Sequence, residues 1–492
     1  MPGNAPAGDA HPHNHGILGK FLKLAGAQWV RDGLHTLFMI VLARKSVGDY
    51  GGFMLAFGLG QFILFLGEFG LNQPLVTSLS RRYARTGEIL AQYTVIKAVL
   101  FVAGVAAVVG VALQQGYDEG LVMLVLVISL GVGLEPLSGT FFVACRVRGR
   151  QDQEALIRAV AALLGYGWAF GALLLGAGPV WMGLFKVVEN TANLVGGAFA
   201  VLRWEHLAGL NLGRKALARI WGTTKNGLEF LIMALAAITY NKSNLFFLQN
   251  AGGQEAVARY SATWELVDGV SVLVCSLLLS NVLFPLFARL WKTGRDEFHR
   301  LAKVSAQWLL ALALPLVFVL AAESDRLIGL IYGPAYADAV WMQKYLAPTV
   351  LCAFVHNLAA YLMLSQGKQR LLLFIYLAGL GLNLGLCAAL IPAHPLAGAA
   401  VAILLTKAAV AAATVGYCQK TIGLFTLKTL LPILVASGLG AVLYLGLAPF
   451  VPREVAELGA IAPMLALLAR LWRARRVRGL APGDPGRGME KP

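Results

Sequence analysis

Apolar residues run along this chain in long blocks rich in Leu, Ala, Val and Gly, parted by short polar stretches that carry most of the Arg and Lys. A helix needs about twenty apolar residues to cross a bilayer. A membrane barrel would instead show alternating stretches of about ten residues. The blocks predict an all-α polytopic membrane protein of about fourteen spans. The first six cover residues 20–43, 50–78, 90–113, 120–145, 154–176 and 179–202. The next six cover 219–248, 259–287, 303–322, 342–365, 370–391 and 396–417, and the last two 427–449 and 454–472.

Composition agrees. Of 492 residues, 58% are hydrophobic and 13% charged, and the mean hydropathy is +0.69. A soluble domain carries about 25% charged residues, so this chain has too little polar surface to face water. Lipid must cover the excess, and inside lipid every backbone N–H and C=O must be paired within the segment or in a closed barrel. The net charge of +16 would suggest nucleic acid in a soluble protein. Here it reads as basic residues held on the cytoplasmic side, and no nucleic-acid partner is expected.

Loop charge tests the span assignment. With the N-terminus inside, the inner loops carry Arg81, Arg82 and Arg85, then Arg146, Arg148 and Arg150, then Arg203, Arg214 and Lys215. Arg289, Lys292, Arg295 and Arg300 follow, then Lys368 and Arg370, then Lys420 and Lys428. The outer loops are poor in bases, and only Arg44 and Lys45 run against the trend. The chain therefore reads as N-in and C-in. Residues 1–18 read as a disordered cytoplasmic tail, in which alternating His11, His13 and His15 argue for a solvated segment over a metal site. No cleavable signal peptide is expected. The run Arg470–Arg478, with Leu471 and Trp472, is expected to rest on anionic lipid. Cys145, Cys275, Cys352, Cys387 and Cys418 form no CxxC pair and read as packing residues.

A weak internal repeat divides the chain. Tyr50-Gly51-Gly52-Phe53 is matched about 210 positions later by Tyr260-Ser261-Ala262-Thr263, and Gly149-Arg150-Gln151 by Gly367-Lys368-Gln369. Six crossings preserve orientation, so the halves form two lobes about an axis along the membrane normal, with a cavity expected between them. The expected division is an N-lobe over 19–205, a C-lobe over 206–422, two further helices over 423–472 and a basic tail over 473–492.

Ionisable residues inside the spans are the candidate chemistry. The acids are Asp32, Glu68, Glu135, Glu189, Glu229, Glu265 and Asp268, and the bases Arg31, Lys97, Arg158, Lys186, Lys225, Lys242 and Lys407. Each charge costs about 2.5–3.5 kcal/mol at a helix centre, so they should face one another or water. Arg31, Asp32 and His35 group on span 1. Lys186, Glu189, Asn190 and Asn193 lie close together on span 6, Lys225 and Glu229 pair on span 7, and Asn241, Lys242 and Asn244 form a patch further along it. Glu265 and Asp268 share span 8. Each pair reads equally as an internal ion pair or as cavity lining. His356 reads equally as a bundle histidine or a substrate residue, and Glu135-Pro136 as a kink with a polar partner. Lys97, Arg158 and Lys407, near span ends, are expected to snorkel to the interface.

Short motifs carry a family resemblance. Leu42-Ala43-Arg44, Asp49-Tyr50-Gly51, Phe69-Gly70-Leu71 and Arg81-Arg82-Tyr83 resemble the opening of bacterial polysaccharide flippases, and Ala258-Arg259-Tyr260-Ser261 and Leu396-Ala397-Gly398-Ala399-Ala400 fit the second lobe. These transporters belong to the multidrug/oligosaccharidyl-lipid/polysaccharide exporter superfamily. The resemblance implies two rocking lobes that carry undecaprenyl-pyrophosphate-linked oligosaccharide from the cytoplasmic to the periplasmic leaflet, for O-antigen or exopolysaccharide. Arg31, Lys186, Lys225 and Lys242 are then the candidate contacts for pyrophosphate or acidic sugars. Asn190, Asn193, Asn241 and Asn244 are candidates for sugar hydroxyls. Asp32, Glu229 or Glu265 could couple H⁺ or Na⁺, with no other cofactor. Membrane lipids, a polymerase and glycosyltransferases are the implied partners. The balance of acids and bases departs from the cationic cavity of the family.

An ion-coupled multidrug or cation antiporter of the same superfamily is the alternative, with Glu229 or Asp32 as its acidic residue. A membrane enzyme is disfavoured by the short outer loops, and a scaffold by the intramembrane charges. No Walker sequence supports ATP drive.

Overall fold

A computed structural model of the chain describes residues 13–68, 71–81, 85–204 and 228–477, with isolated positions 213, 218 and 222. Among them it is all-α. The chain divides into two compact units, residues 1–258 and 259–492.

In the first unit, α1 (His13–Lys45), α2 (Val47–Glu68) and the short α3 (Asn72–Arg81) are followed by α4 (Thr86–Gln114) and α5 (Glu119–Val147). Then come α6 (Gln151–Leu174) and α7 (Pro179–Leu202). α8 (Leu228–Val274) breaks at Gly253, where φ is +68, and so folds as two helices. In the second unit a π-helical segment (Cys275–Leu283) leads into α9 (Phe284–Thr293), α10 (Arg295–Ala322) and α11 (Ser324–Ile331). α12 (Val340–Leu346) and α13 (Thr349–Ser365) meet at a 45° bend. α14 (Gln369–Leu390), α15 (Pro395–Ile422), α16 (Leu427–Leu447) and α17 (Arg453–Val477) complete the chain.

Large apolar side chains cover the outer faces, among them Val99, Val102, Leu174, Phe199, Leu434 and Val442. On a soluble body such faces would be costly, whereas acyl chains cover them at no cost. Ten described helices are long and apolar enough to cross a membrane, eleven if α12 and α13 form one broken span. Physical reasons account for the difference from fourteen. The stretch Leu228–Thr293 is counted once among the ten but breaks at Gly253 and, at 66 residues, is long enough for two crossings. α1 and α7 have membrane length, but charged and polar residues at their centres lower their hydropathy.

Other expectations are corrected. The single span over 50–78 is two helices, because Gly67 and Pro74 flank a break after Glu68. Pro suits a first turn, where its missing N–H is not needed. α1 begins at His13, inside the stretch expected to be disordered, and α17 runs past residue 472 to Val477.

The repeat has local counterparts in each unit. α3 and α9 are both ten-residue helices with an early proline, Pro74 and Pro285. Gly149 and Gly367 end α5 and α13 with φ of 70° and 73°. After each, the next residue's N–H reaches back along its helix, Arg150 to Cys145 at 2.8 Å and Lys368 to Met363 at 2.9 Å. Two of the resembling motifs also gain a physical cause. A Cβ on Gly51 would meet the Gln254 carbonyl oxygen at 1.9 Å, and one on Gly398 would meet Leu390 backbone at 2.6 Å.

Candidate functional site

On α1, Arg31, His35, Phe38 and Leu42 recur every three or four residues and so share one face. Phe38 and Leu42 are fully buried, and this face packs against α2 and α6. α7 presents Phe185, Lys186, Glu189, Asn190 and Asn193 inward, all buried. Glycines bring its neighbours close. A Cβ on Gly131 of α5 would lie 2.6 Å from the Lys186 backbone, and one on Gly165 of α6 would lie 2.7 Å from Glu189 Cβ. Small residues at such contacts let helices in lipid approach backbone to backbone. The approach allows the Asn190 amide to donate to the Gly131 carbonyl at 2.8 Å.

Among the described residues, the central charges of α1 and α7 are paired. Arg31 Nη1 donates to Glu135 Oε1 of α5 at 2.8 Å, and Arg31 Nε lies 3.4 Å from Asp32 Oδ1. Arg31 and Glu135 each keep 19% of the side chain exposed, while Asp32 is open and accepts from Gln28 at 2.9 and 3.0 Å. Lys186 Nζ donates to Glu189 Oε2 at 2.8 Å. Asn193 donates to Asn190 Oδ1 at 3.2 Å. His35 sits edge-on to Phe57 and Tyr166. Glu189 Oε1, Asn193 Oδ1 and His35 Nδ1 are buried acceptor positions with no hydrogen-bond partner. Such groups are rare in folded proteins and call for a donor or a proton.

In the second unit, Lys407 of α15 donates to Asp268 of α8 at 3.1 Å and stands 4.6 Å from the Trp264 ring centroid. His356 of α13 is held at both ring nitrogens, by Thr414 at 3.1 Å and by Tyr376 at 3.0 Å. At one end of the helices, Arg453 forms a bidentate pair with Asp325 at 2.7 Å and also reaches Glu457 at 2.8 Å and Glu323 at 3.2 Å. The Arg453 guanidinium holds the Asp325 carboxyl well below the usual carboxylate range. A hydrogen bond with Glu457 pushes Glu323 up.

A family model described as polysaccharide biosynthesis protein matches residues 41–341. The chain belongs to the polysaccharide biosynthesis protein family. No curated protein matches it. Solved structures share its fold. The lipid II flippase MurJ in an inward closed conformation superposes with a TM-score of 0.67 at 11% identity, over 94% of this chain and 100% of the other. An inward-facing multidrug resistance MATE transporter gives 0.62 at 12% identity, over 82% and 98%. A MOP superfamily transporter from Pyrococcus furiosus, whose binding pocket is described as reversed in polarity, gives 0.53 at 13%, over 82% and 95%. The fold of this polysaccharide biosynthesis protein is therefore that of the multidrug/oligosaccharidyl-lipid/polysaccharide exporter superfamily.

Within that fold the predicted residues separate. Arg31, Asp32, His35, Lys186, Glu189, Asn190 and Asn193 gather on α1 and α7 of the first unit. Asn241 turns its amide back to Ala237 on its own helix at 2.8 Å, Lys242 is half-buried and Asn244 is buried. Asp268 and His356 belong to the second unit, where Glu265 is half-buried. Glu229 begins α8, while Lys225 lies outside the described residues, as does the Glu68 side chain.

The snorkelling expectation is overturned for all three of its bases. Lys97 is fully buried and donates to Asn72 at 2.8 Å and to the Pro136 carbonyl at 2.9 Å. Arg158 pairs with the fully buried Glu154 at 2.9 Å, which also takes Arg146 at 2.6 Å. Lys407 takes Asp268. A polar partner within reach outweighs the pull of the interface. Glu154 was not among the intramembrane candidates, and Glu135 was among them without a named partner. The polar partner expected for Glu135 is Arg31, and α5 runs as one helix through Pro136.

Proposed function

We propose that this protein is a flippase for pyrophosphate-linked oligosaccharide in the bacterial inner membrane, N-in and C-in, serving surface polysaccharide assembly. The observation that carries the reading is Arg31, a partly exposed guanidinium within α1 of a polysaccharide biosynthesis family member. The fold it shares with a lipid II flippase over most of its length supports the same reading. A guanidinium suits phosphate oxygens because it offers paired donors at fixed geometry. Lys186, Lys225 and Lys242 are the further anion contacts. Asn193, with its unpartnered oxygen, and Asn190, Asn241 and Asn244 serve sugar hydroxyls. Asp32, Glu229 or Glu265 couples H⁺ or Na⁺. A polymerase and glycosyltransferases would work beside it.

The test is surface polysaccharide in cells that carry Arg31→Ala or Lys242→Ala at wild-type protein level. Both should lose polysaccharide and accumulate lipid-linked units inside. Wild-type polysaccharide in both variants overturns the assignment. The cation-antiporter reading draws on the carboxylates Asp32, Glu135 and Glu189 beside the bases. It predicts cationic dye efflux, which a dedicated flippase lacks.

A further inference from the structure

The charges around Arg31 are balanced by acids of the protein itself, which is a poor setting for a substrate with two phosphates. Arg31 is engaged by Glu135 at 2.8 Å and approached by Asp32 at 3.4 Å. Lys186 is engaged by Glu189 at 2.8 Å and Arg158 by Glu154 at 2.9 Å. A pyrophosphate diester brings two negative charges. Placed at Arg31, it meets a guanidinium already bonded to a carboxylate. Either the anion is excluded, or the carboxylate gives up its claim.

We propose that Glu135 is a built-in competitor for Arg31, so that a pyrophosphate diester binds by displacing the Glu135 carboxylate and a proton is taken up on that carboxyl. The inference rests on the flippase reading above and names how its site admits an anion. Several features single out Glu135. It sits on α5 beside Pro136, whose ring cannot donate to the preceding turn, so the helix is locally free of one constraint. It keeps 19% of its side chain exposed, as does Arg31, so the bond between them is open to exchange. Glu189 by contrast is fully buried on Lys186. Asp32 is wide open and already accepts two hydrogen bonds from Gln28.

Once an anion takes Arg31, Glu135 stands beside negative charge without its partner. Two like charges cannot share such a site cheaply, and one proton removes the conflict. The charged and titratable groups facing Glu135 are Arg31 from α1, Arg158 and Tyr166 from α6, and Lys186 from α7, while Asp32 and Glu189 act on Arg31 beside it. Lys97 of α4 is held at the neighbouring Pro136 carbonyl. Glu189 keeps Lys186 and Asp32 keeps Gln28, so Glu135 is the carboxyl that loses its partner and takes the proton.

The experiment measures binding of citronellyl-pyrophosphoryl-N-acetylglucosamine to purified full-length protein in nanodiscs, at about pH 8 and about pH 6. The two charges of this diester do not titrate in that range. Wild type should bind about a hundredfold tighter at the lower pH, the full effect of one proton taken up across two pH units. Glu135→Gln should bind tightly at both. Arg31→Ala should bind weakly at both. Calorimetry of wild type in two buffers of different ionisation enthalpy should show one proton taken up, which needs no variant to fold. Binding that depends on Arg31 but is equal in wild type and Glu135→Gln, with no proton uptake, overturns this inference and leaves the flippase reading standing. No binding of any form at either pH overturns both.

Discussion

Asp268 and Lys407, 139 residues apart, close an ion pair of 3.1 Å beside the ring of Trp264. The pair joins α8 to α15 at bilayer depth. Its side chains keep 28% and 12% exposure, so the pair is only partly buried by protein. Removal of either partner strands the other charge. Lys407→Met or Asp268→Asn should each destabilise the protein by on the order of 2–3 kcal/mol, less than the roughly 3–5 kcal/mol of a fully buried pair. The double variant should recover much of the loss. Thermal unfolding followed by tryptophan fluorescence gives the double-mutant cycle, and additive losses would mean that the two charges do not support each other.

The seam between α6 and α7 is tight at Gly165. A Cβ at Gly165 would press on Glu189 Cβ at 2.7 Å and on the Phe185 carbonyl at 2.9 Å, whereas a Cβ at Gly167 would meet nothing within 4 Å. Gly165→Ala should cost about 1–3 kcal/mol by overpacking, and Gly167→Ala should be close to neutral. The melting temperatures of the two variants in detergent make the comparison. Equal melting temperatures would show that the seam tolerates the extra carbon.

The Arg453 cluster should respond to pH in two ranges. Asp325 is held below its ordinary range by Arg453, so its contribution is complete above the unfolded pKa and is lost only as pH falls through the lower folded value. Glu323 is pushed above 4.5 by its hydrogen bond with Glu457. A raised carboxyl favours the fold while protonated, and that benefit is lost as pH rises through the folded value. Glu323→Gln keeps the protonated shape at every pH. It should therefore match wild type in acid and gain relative stability as pH rises. A melting-temperature difference that stays flat from about pH 4 to about pH 8 would contradict the assignment.

The sequence shows the membrane plan clearly because the bilayer imposes it: apolar length fixes each crossing. Lys186 with Glu189 was also legible, since three residues along a helix bring side chains together. Arg31 with Glu135 as partners was not, because the two lie 104 residues apart and only packing joins α1 to α5. Lys97 was misjudged for a similar reason. Its place near a span end suggested the interface, while its partners Asn72 and the Pro136 carbonyl come from a helix break and a proline that bear on it only in the folded chain. The break at Gly253 was legible, because it falls in the gap left between the expected spans 219–248 and 259–287.

The 104 residues between Arg31 and Glu135 also set a delay during synthesis. A ribosome adds roughly 5–20 residues per second. For on the order of 5–20 s, therefore, the arginine of the newborn first helix has no carboxylate from the fourth span to meet. Over that interval its lodging depends on the insertion machinery, on neighbouring Asp32 or on water drawn in beside it, and the helix settles only when α5 is threaded.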